Sequence, residues 1–128
     1  MTFVVDASAA LQGVLEQRDH ERFRAWMRDA RLAGEDLLAP TLLPFEVGNV
    51  LRRVFPTAAA AAHHDDLLLG IRHVDPAPAD TYAMCRNGLT YYDAAYLALA
   101  YAAAATLVSG DRLLLAAAVA QGVPVLAF

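Results

Sequence analysis

The sequence predicts an α/β fold with a mostly parallel central sheet of about five strands, on three observations. Short apolar runs alternate with longer helical patterns along the whole chain. The runs are apolar at consecutive positions, as strands covered on both faces must be. Acidic residues stand where two of these runs end, and in such sheets ligand sites lie beyond the carboxyl ends of the strands. With 128 residues, 58% of them hydrophobic, the chain reads as one domain, 1–128, without repeat or linker.

Residues 2–5 form the first strand candidate, ending at Asp6, and a helix over about 7–15 follows directly. A second helix covers about 19–32 and stops at Gly34, ahead of a short strand over 36–39 and Pro40. Thr41 is placed to cap a helix running to about Phe55, with Pro44 tolerated in its first turn. Leu43, Val47, Val50, Leu51 and Val54 form the apolar stripe of that helix. Pro56 closes it, and Thr57 is expected to cap an alanine-rich helix reaching about Leu69. Residues 71–74 are the third strand candidate. Helices follow over about 79–89, ending near Asn87 and Gly88, and from Tyr91 or Tyr92 to about 104, with Leu97 and Tyr101 on the apolar side. A strand over 106–108, a helix over 111–121 and a strand over 123–127 complete the pattern.

Composition narrows the class. No segment approaches the ~18 uncharged apolar residues of a membrane span, and no basic stretch precedes the first apolar run, so a cytoplasmic protein without membrane association is expected. Cys85 is the single cysteine, which excludes an intramolecular disulfide and a cysteine zinc cluster; it is expected to be a small buried side chain. The formal net charge is −4, against the basic footprint usual for nucleic-acid enzymes. Every basic residue is arginine and no lysine is present.

Four acids stand out by position: Asp6 after the first strand, Glu46 in the third helix, Asp93 at the start of the sixth, and Asp111 after the fourth strand. Carboxylates gathered at one edge repel, and coexist only with shifted proton affinities or bound cations. Such oxygen donors suit magnesium or manganese and metal-assisted phosphodiester hydrolysis. Each acid also has a plain structural explanation. Asp6 and Asp111 are placed to cap helices, and Thr90 and Asp93 have the spacing of a capping box. Glu46 shares a polar strip with Asn49 and Arg53, which amphipathicity alone would produce. His63 and His64 beside Asp65 and Asp66 imitate a metal site, but consecutive helical positions diverge and a solvated face is expected.

Four segments carry a resemblance: Val4-Val5-Asp6-Ala7-Ser8; residues 40–51, with Glu46 and Asn49; Tyr92-Asp93-Ala94-Ala95-Tyr96 and on to Ala100; and Leu107-Val108-Ser109-Gly110-Asp111-Arg112-Leu113-Leu114. Together they resemble the PIN domain, close to the VapC type, over essentially the whole chain. The resemblance implies a PIN-like three-layer α/β/α fold and a toxin ribonuclease of a type II toxin–antitoxin system. It implies that Asp6, Glu46, Asp93 and Asp111 form an acidic pocket for Mg2+ or Mn2+, supported by Ser8, Asn49 and Ser109. Serine at 109 stands where the family often has threonine, keeping the hydroxyl. Arg52, Arg53 and Arg112 are candidates for local RNA contact.

The implied partners are an RNA substrate, a VapB-like antitoxin and a second copy in a homodimer. The antitoxin's C-terminal segment would lie over the first helices and block the pocket with a basic side chain. Phe23, Trp26 and Met27 are candidates for its apolar docking groove, with ordinary core packing the competing reading. Two other functions compete: a PIN-like domain that binds RNA or a partner without cutting, and a haloacid-dehalogenase-like phosphatase or receiver domain. The second relies on a lysine that this chain lacks, and Ser8 replaces the phosphatase's second aspartate. No glycine-rich phosphate loop or serine nucleophile motif occurs.

Overall fold

The computed structural model describes the backbone of residues 1–128 and every side chain except that of Asn87. Five short strands form one parallel sheet: β1 (Thr2–Val5), β2 (Asp36–Ala39), β3 (Ile71–His73), β4 (Thr106–Ser109) and β5 (Val125–Ala127), in the order β3-β2-β1-β4-β5. The register pairs Val4 with Leu38 on one side and with Leu107 on the other. β1 therefore lies at the centre, and Val4 and Val5 are wholly buried, as the unbroken apolar run required.

Seven helices connect the strands: α1 (Ala7–Leu11), α2 (His20–Leu32), α3 (Leu43–Val54), α4 (Thr57–Leu68), α5 (Pro78–Met84), α6 (Tyr91–Ala102) and α7 (Arg112–Ala120). The chain steps outward from β1 through β2 to β3, then crosses back to β4 and β5. Right-handed crossovers in opposite directions put α1–α4 over one face of the sheet and α5–α7 over the other, giving the three layers expected. The reversal between β1 and β4 opens a crevice at their carboxyl ends.

The helix boundaries show where tertiary contacts overrule local signals. α1 stops at Leu11, short of the expected residue 15, because Gln12 and Gly13 tighten its end with bonds to Ala9 and Ala10 carbonyls. A β-carbon on Gly13 would stand 2.6 Å from the Leu67 side chain, so the turn is pressed against α4. Thr41 does not cap α3. Its amide and hydroxyl both donate to Asp75, at 2.8 and 2.9 Å, and Leu42 holds the cap position. Thr57 likewise lies inside α4, with the extended Pro56 before it. Along α3, Leu43, Val47 and Leu51 are buried, whereas Val54 at the end of the stripe is exposed. In α6, residues 94–100 are all buried, yet Tyr101 is 59% exposed, contrary to its expected place on the apolar side.

Phe23 and Met27 are buried, and Trp26 is packed against them. Trp26 meets Phe3 edge-on at 5.2 Å and lies 5.8 Å from Phe128. These three side chains are thus core packing rather than the open groove expected of them; Phe23 and Met27, but not Trp26, also reach the wall of a neighbouring cleft of about 450 Å³. Cys85 is half-buried, with its thiol donating to the Thr81 carbonyl. No helix among the described residues is long and apolar enough to cross a membrane.

Candidate metal and nuclease site

Asp6 leaves β1 at the sheet centre and is 4% exposed, which for a carboxylate demands compensation. One oxygen accepts the Ser8 hydroxyl at 2.7 Å and the Ala9 amide at 2.9 Å; the other accepts the Ser109 hydroxyl at 2.5 Å. The two serines are themselves anchored. Ser8 Oγ accepts the Gly110 amide at 2.8 Å, and Ser109 Oγ accepts the Asp111 amide at 3.0 Å. The end of β1 and the end of β4 are thereby tied through hydroxyls in addition to the backbone bond from the Asp6 amide to the Val108 carbonyl at 3.1 Å. A β-carbon at Gly110 would stand 2.9 Å from the Phe128 carbonyl, so glycine is needed for this close approach.

Asp111 caps α7: one oxygen accepts the Leu113 and Leu114 amides at 2.9 and 3.1 Å. Asp93 opens α6, where the Thr90 hydroxyl accepts the Asp93 amide. The capping readings of Asp6 and Asp111 are therefore correct as local structure. They leave Asp111 Oδ2 with no bond among the described residues. Glu46, half-buried on the first turn of α3, accepts the Tyr96 hydroxyl at 2.7 Å.

Electrostatics tie the four acids together. Burial pushes Asp6 up to about 6, against which the Ser109, Ala9 and Ser8 bonds work, with the charge of Asp111 adding to the rise. Burial raises Glu46, with the Asp93 charge contributing and the Tyr96 bond opposing. Burial also raises Asp93, assisted by Asp111. Tyr96 is raised by its own burial and by Glu46, so it remains a neutral donor. Among the described residues none of the four acids forms an ion pair with an arginine or histidine.

Also among the described residues, no three histidine, cysteine or acidic side chains converge closely enough to hold a metal ion unaided. Magnesium and manganese retain several waters and need only one or two direct carboxylates, so an ion of that kind does not require three converging side chains. The four carboxyl groups are an all-oxygen donor set, and among the described residues none is paired with a cationic side chain. Such a set fits a hard divalent ion.

The remaining candidates fall outside this group. Asn49 is exposed and bonded to Arg52 and Arg53 on α3, away from the acids' hydrogen bonds. Arg52, Arg53 and Arg112 are exposed. The two histidines of the α4 cluster depart from the expected solvated face. His64 bonds the Pro44 carbonyl at 2.7 Å and His63 packs on Phe55 at 4.6 Å, while Asp65 and Asp66 are exposed. Tyr96 was missed by sequence reading. Its signal was its position one turn after Asp93, on the same side of α6.

The PIN domain family model matches residues 3–127, and the chain belongs to that family. Among solved structures, a protein of Pyrobaculum aerophilum designated PAE2754 is 28% identical, with a TM-score of 0.70 over 98% of this chain and 92% of that one. VapBC2 from Rickettsia felis, bound to a DNA fragment from its promoter, superposes with a TM-score of 0.76 at 10% identity, over 100% and 99% of the two chains. FitAcB from Neisseria gonorrhoeae gives 0.66 at 20% identity, over 96% and 95%. These last two are likenesses of fold. No curated protein matches.

Proposed function

We propose that this chain is a metal-dependent endoribonuclease and the toxin of a VapBC-type pair, with Asp6, Glu46, Asp93 and Asp111 as its catalytic and metal-holding residues. The observation that carries the reading is Asp6: a buried carboxylate with raised proton affinity, in the crevice between β1 and β4, sharing its field with Asp111, and among the described residues neither acid is paired with a cationic side chain. Magnesium or manganese, when bound, supplies neutralisation of the charge that develops on the phosphate as the bond breaks.

The protein's own contribution is positioning. Ser8, Ser109 and the Ala9 amide fix both oxygens of Asp6, so its rotamer is set before anything binds. Tyr96 holds one oxygen of Glu46, whose proton affinity the Asp93 charge helps to raise. Asp111 uses one oxygen as a cap and keeps the other for the site. Arg52, Arg53 and Arg112 are assigned to the RNA backbone, offsetting locally a net charge of −4. The reading includes a VapB-like antitoxin over α1 and α2, a homodimer and a cytoplasmic setting.

Calorimetric titration of manganese into partner-free protein, beside Asp6→Asn and Asp93→Asn with folding checked, tests the site. The expected result is saturable binding by the parent that both variants lose, with magnesium-dependent cleavage of RNA following the same pattern. A parent that neither binds manganese nor cuts RNA in its presence would overturn the proposal.

A further inference from the structure

α2 carries a row of three arginines, Arg24, Arg28 and Arg31, at spacings that put them on one side of the helix. Like charges so spaced destabilise a helix, and only Arg31 lies in the last turn, where the helix dipole favours a cation. The row therefore needs a reason outside α2. All three arginines line a cleft of about 450 Å³ between α2 and α4, with Phe23, Met27 and Leu67 supplying its apolar wall. Both helices run into the amino ends of strands, α2 into β2 and α4 into β3, so the Arg31 end of the cleft lies toward the sheet edge opposite Asp6.

Each guanidinium is held by one edge and leaves another open. Arg24 donates through Nη1 to the Gly13 carbonyl at 3.0 Å, and Arg31 donates through Nε and Nη2 to the Leu69 and Asp66 carbonyls, both at 2.9 Å. These acceptors are neutral, so they fix the two groups without cancelling their charge. Arg28 meets only the exposed Asp29, at 3.4 Å. Among the described residues, Nε and Nη2 of Arg24, both terminal nitrogens of Arg28, and Nη1 of Arg31 are left without a bond. Burial lowers the proton affinity of Arg31; Asp66 opposes the fall and the charge of Arg24 adds to it, so these cations act on one another. Glu21 and Asp66 also line the cleft. The Glu21 side chain is 93% exposed and stands 3.9 Å from the His20 ring, and among the described residues neither acid forms an ion pair with any of the three arginines.

We propose that this cleft is a second ligand site, which takes a small phosphoryl-bearing anion on the open edges of Arg24, Arg28 and Arg31. The inference stands apart from the ribonuclease reading. Guanidinium forks match phosphate oxygens two at a time. A phosphoryl group carries more than one negative charge and answers several cations together, where a carboxylate answers one. The volume is that of a small-molecule site, and the apolar wall beside the arginines suits the carbon part of a phosphate ester.

Calorimetric titration of pyrophosphate into the full chain at low salt tests this, in EDTA so that no metal at the acids recruits the anion. The parent is expected to bind it saturably, and Arg24→Gln and Arg28→Gln are each expected to weaken binding by about tenfold. Arg28 bonds only an exposed neighbour, so its variant should keep the fold, which thermal melting checks. Asp6→Asn should bind pyrophosphate as the parent does, which separates this site from the acids. A parallel titration of ADP identifies the source of the phosphoryl group: binding about tenfold tighter than pyrophosphate points to a nucleotide resting on the apolar wall, and equal affinity to an inorganic anion. A parent that binds neither, or folded Arg24→Gln and Arg28→Gln variants that bind like the parent, overturns the inference. A glutamate-rich peptide that binds more tightly than pyrophosphate and is lost in the same variants makes the cleft a dock for an acidic chain, which also overturns it.

Discussion

Two groups of titratable side chains in this molecule behave in opposite ways. His63, His64, Asp65 and Asp66 are consecutive, yet α4 turns them apart: His63 goes to Phe55, His64 to the Pro44 carbonyl and the aspartates to solvent. Asp6, Glu46, Asp93 and Asp111 span more than a hundred residues, yet each raises or is raised by another. Neighbours in a helix diverge by about 100° per residue, whereas the ends of adjacent parallel strands are held a strand spacing apart. Distance along the chain is therefore a poor guide to a site, and position relative to the sheet edge is a good one.

The sharpest way to break that comparison is catalytic. Asp6→Asn or Asp93→Asn is expected to lower magnesium-dependent RNA cleavage by at least about a thousandfold. His63→Asn and Asp65→Asn should leave it within about twofold. Initial rates on a fluorogenic RNA decide between them. Equal losses in both groups would remove the distinction.

Next in size is the pH dependence of stability without metal. Asp6 holds its proton to about 6 in the folded chain but only to its ordinary value of 3.8 when unfolded. The folded state then binds more protons in that interval, so stability is greatest below it and falls as pH rises through it, by about 3 kcal/mol in all. Urea denaturation at pH 4 and pH 7 should show the fall, and Asp6→Asn should flatten it. Manganese should restore stability at pH 7 more than at pH 5, because below 6 it competes with the proton on Asp6.

Smaller still is the effect of single hydrogen bonds. Tyr96→Phe removes the donor to Glu46 while filling the same buried space, and should cost about 1 kcal/mol of stability while lowering the cleavage rate. Ser109→Ala should cost about as much and raise the Asp6 proton affinity further, since a bond that lowers it is lost. NMR titration of the Asp6 carboxyl carbon would read that shift directly.

Most of the frame was legible because its determinants are local. β1 and β2 begin and end where the apolar runs do, and Gly34 and Pro56 interrupt the helices as expected. The misreadings share one cause. Thr41, Thr57 and Tyr101 were assigned from near neighbours, but Thr41 answers to Asp75 across the sheet edge, and Tyr101 lies past the stretch of α6 that is buried. Asn49 looked like part of a polar site strip, and its hydrogen bonds go along its own helix to arginines.

By itself the sequence determined the alternation of strands and helices, the parallel sheet and the two acids, Asp6 and Asp111, that follow its strands, because hydrophobic period and chain breakers act over a few residues. Only the tertiary structure decided that β1 and β4 are neighbours, that Ser8 and Ser109 share Asp6, and that Tyr96 reaches Glu46. Those contacts join residues as much as 103 positions apart, and their geometry is set by strand order and helix packing, which no local pattern encodes.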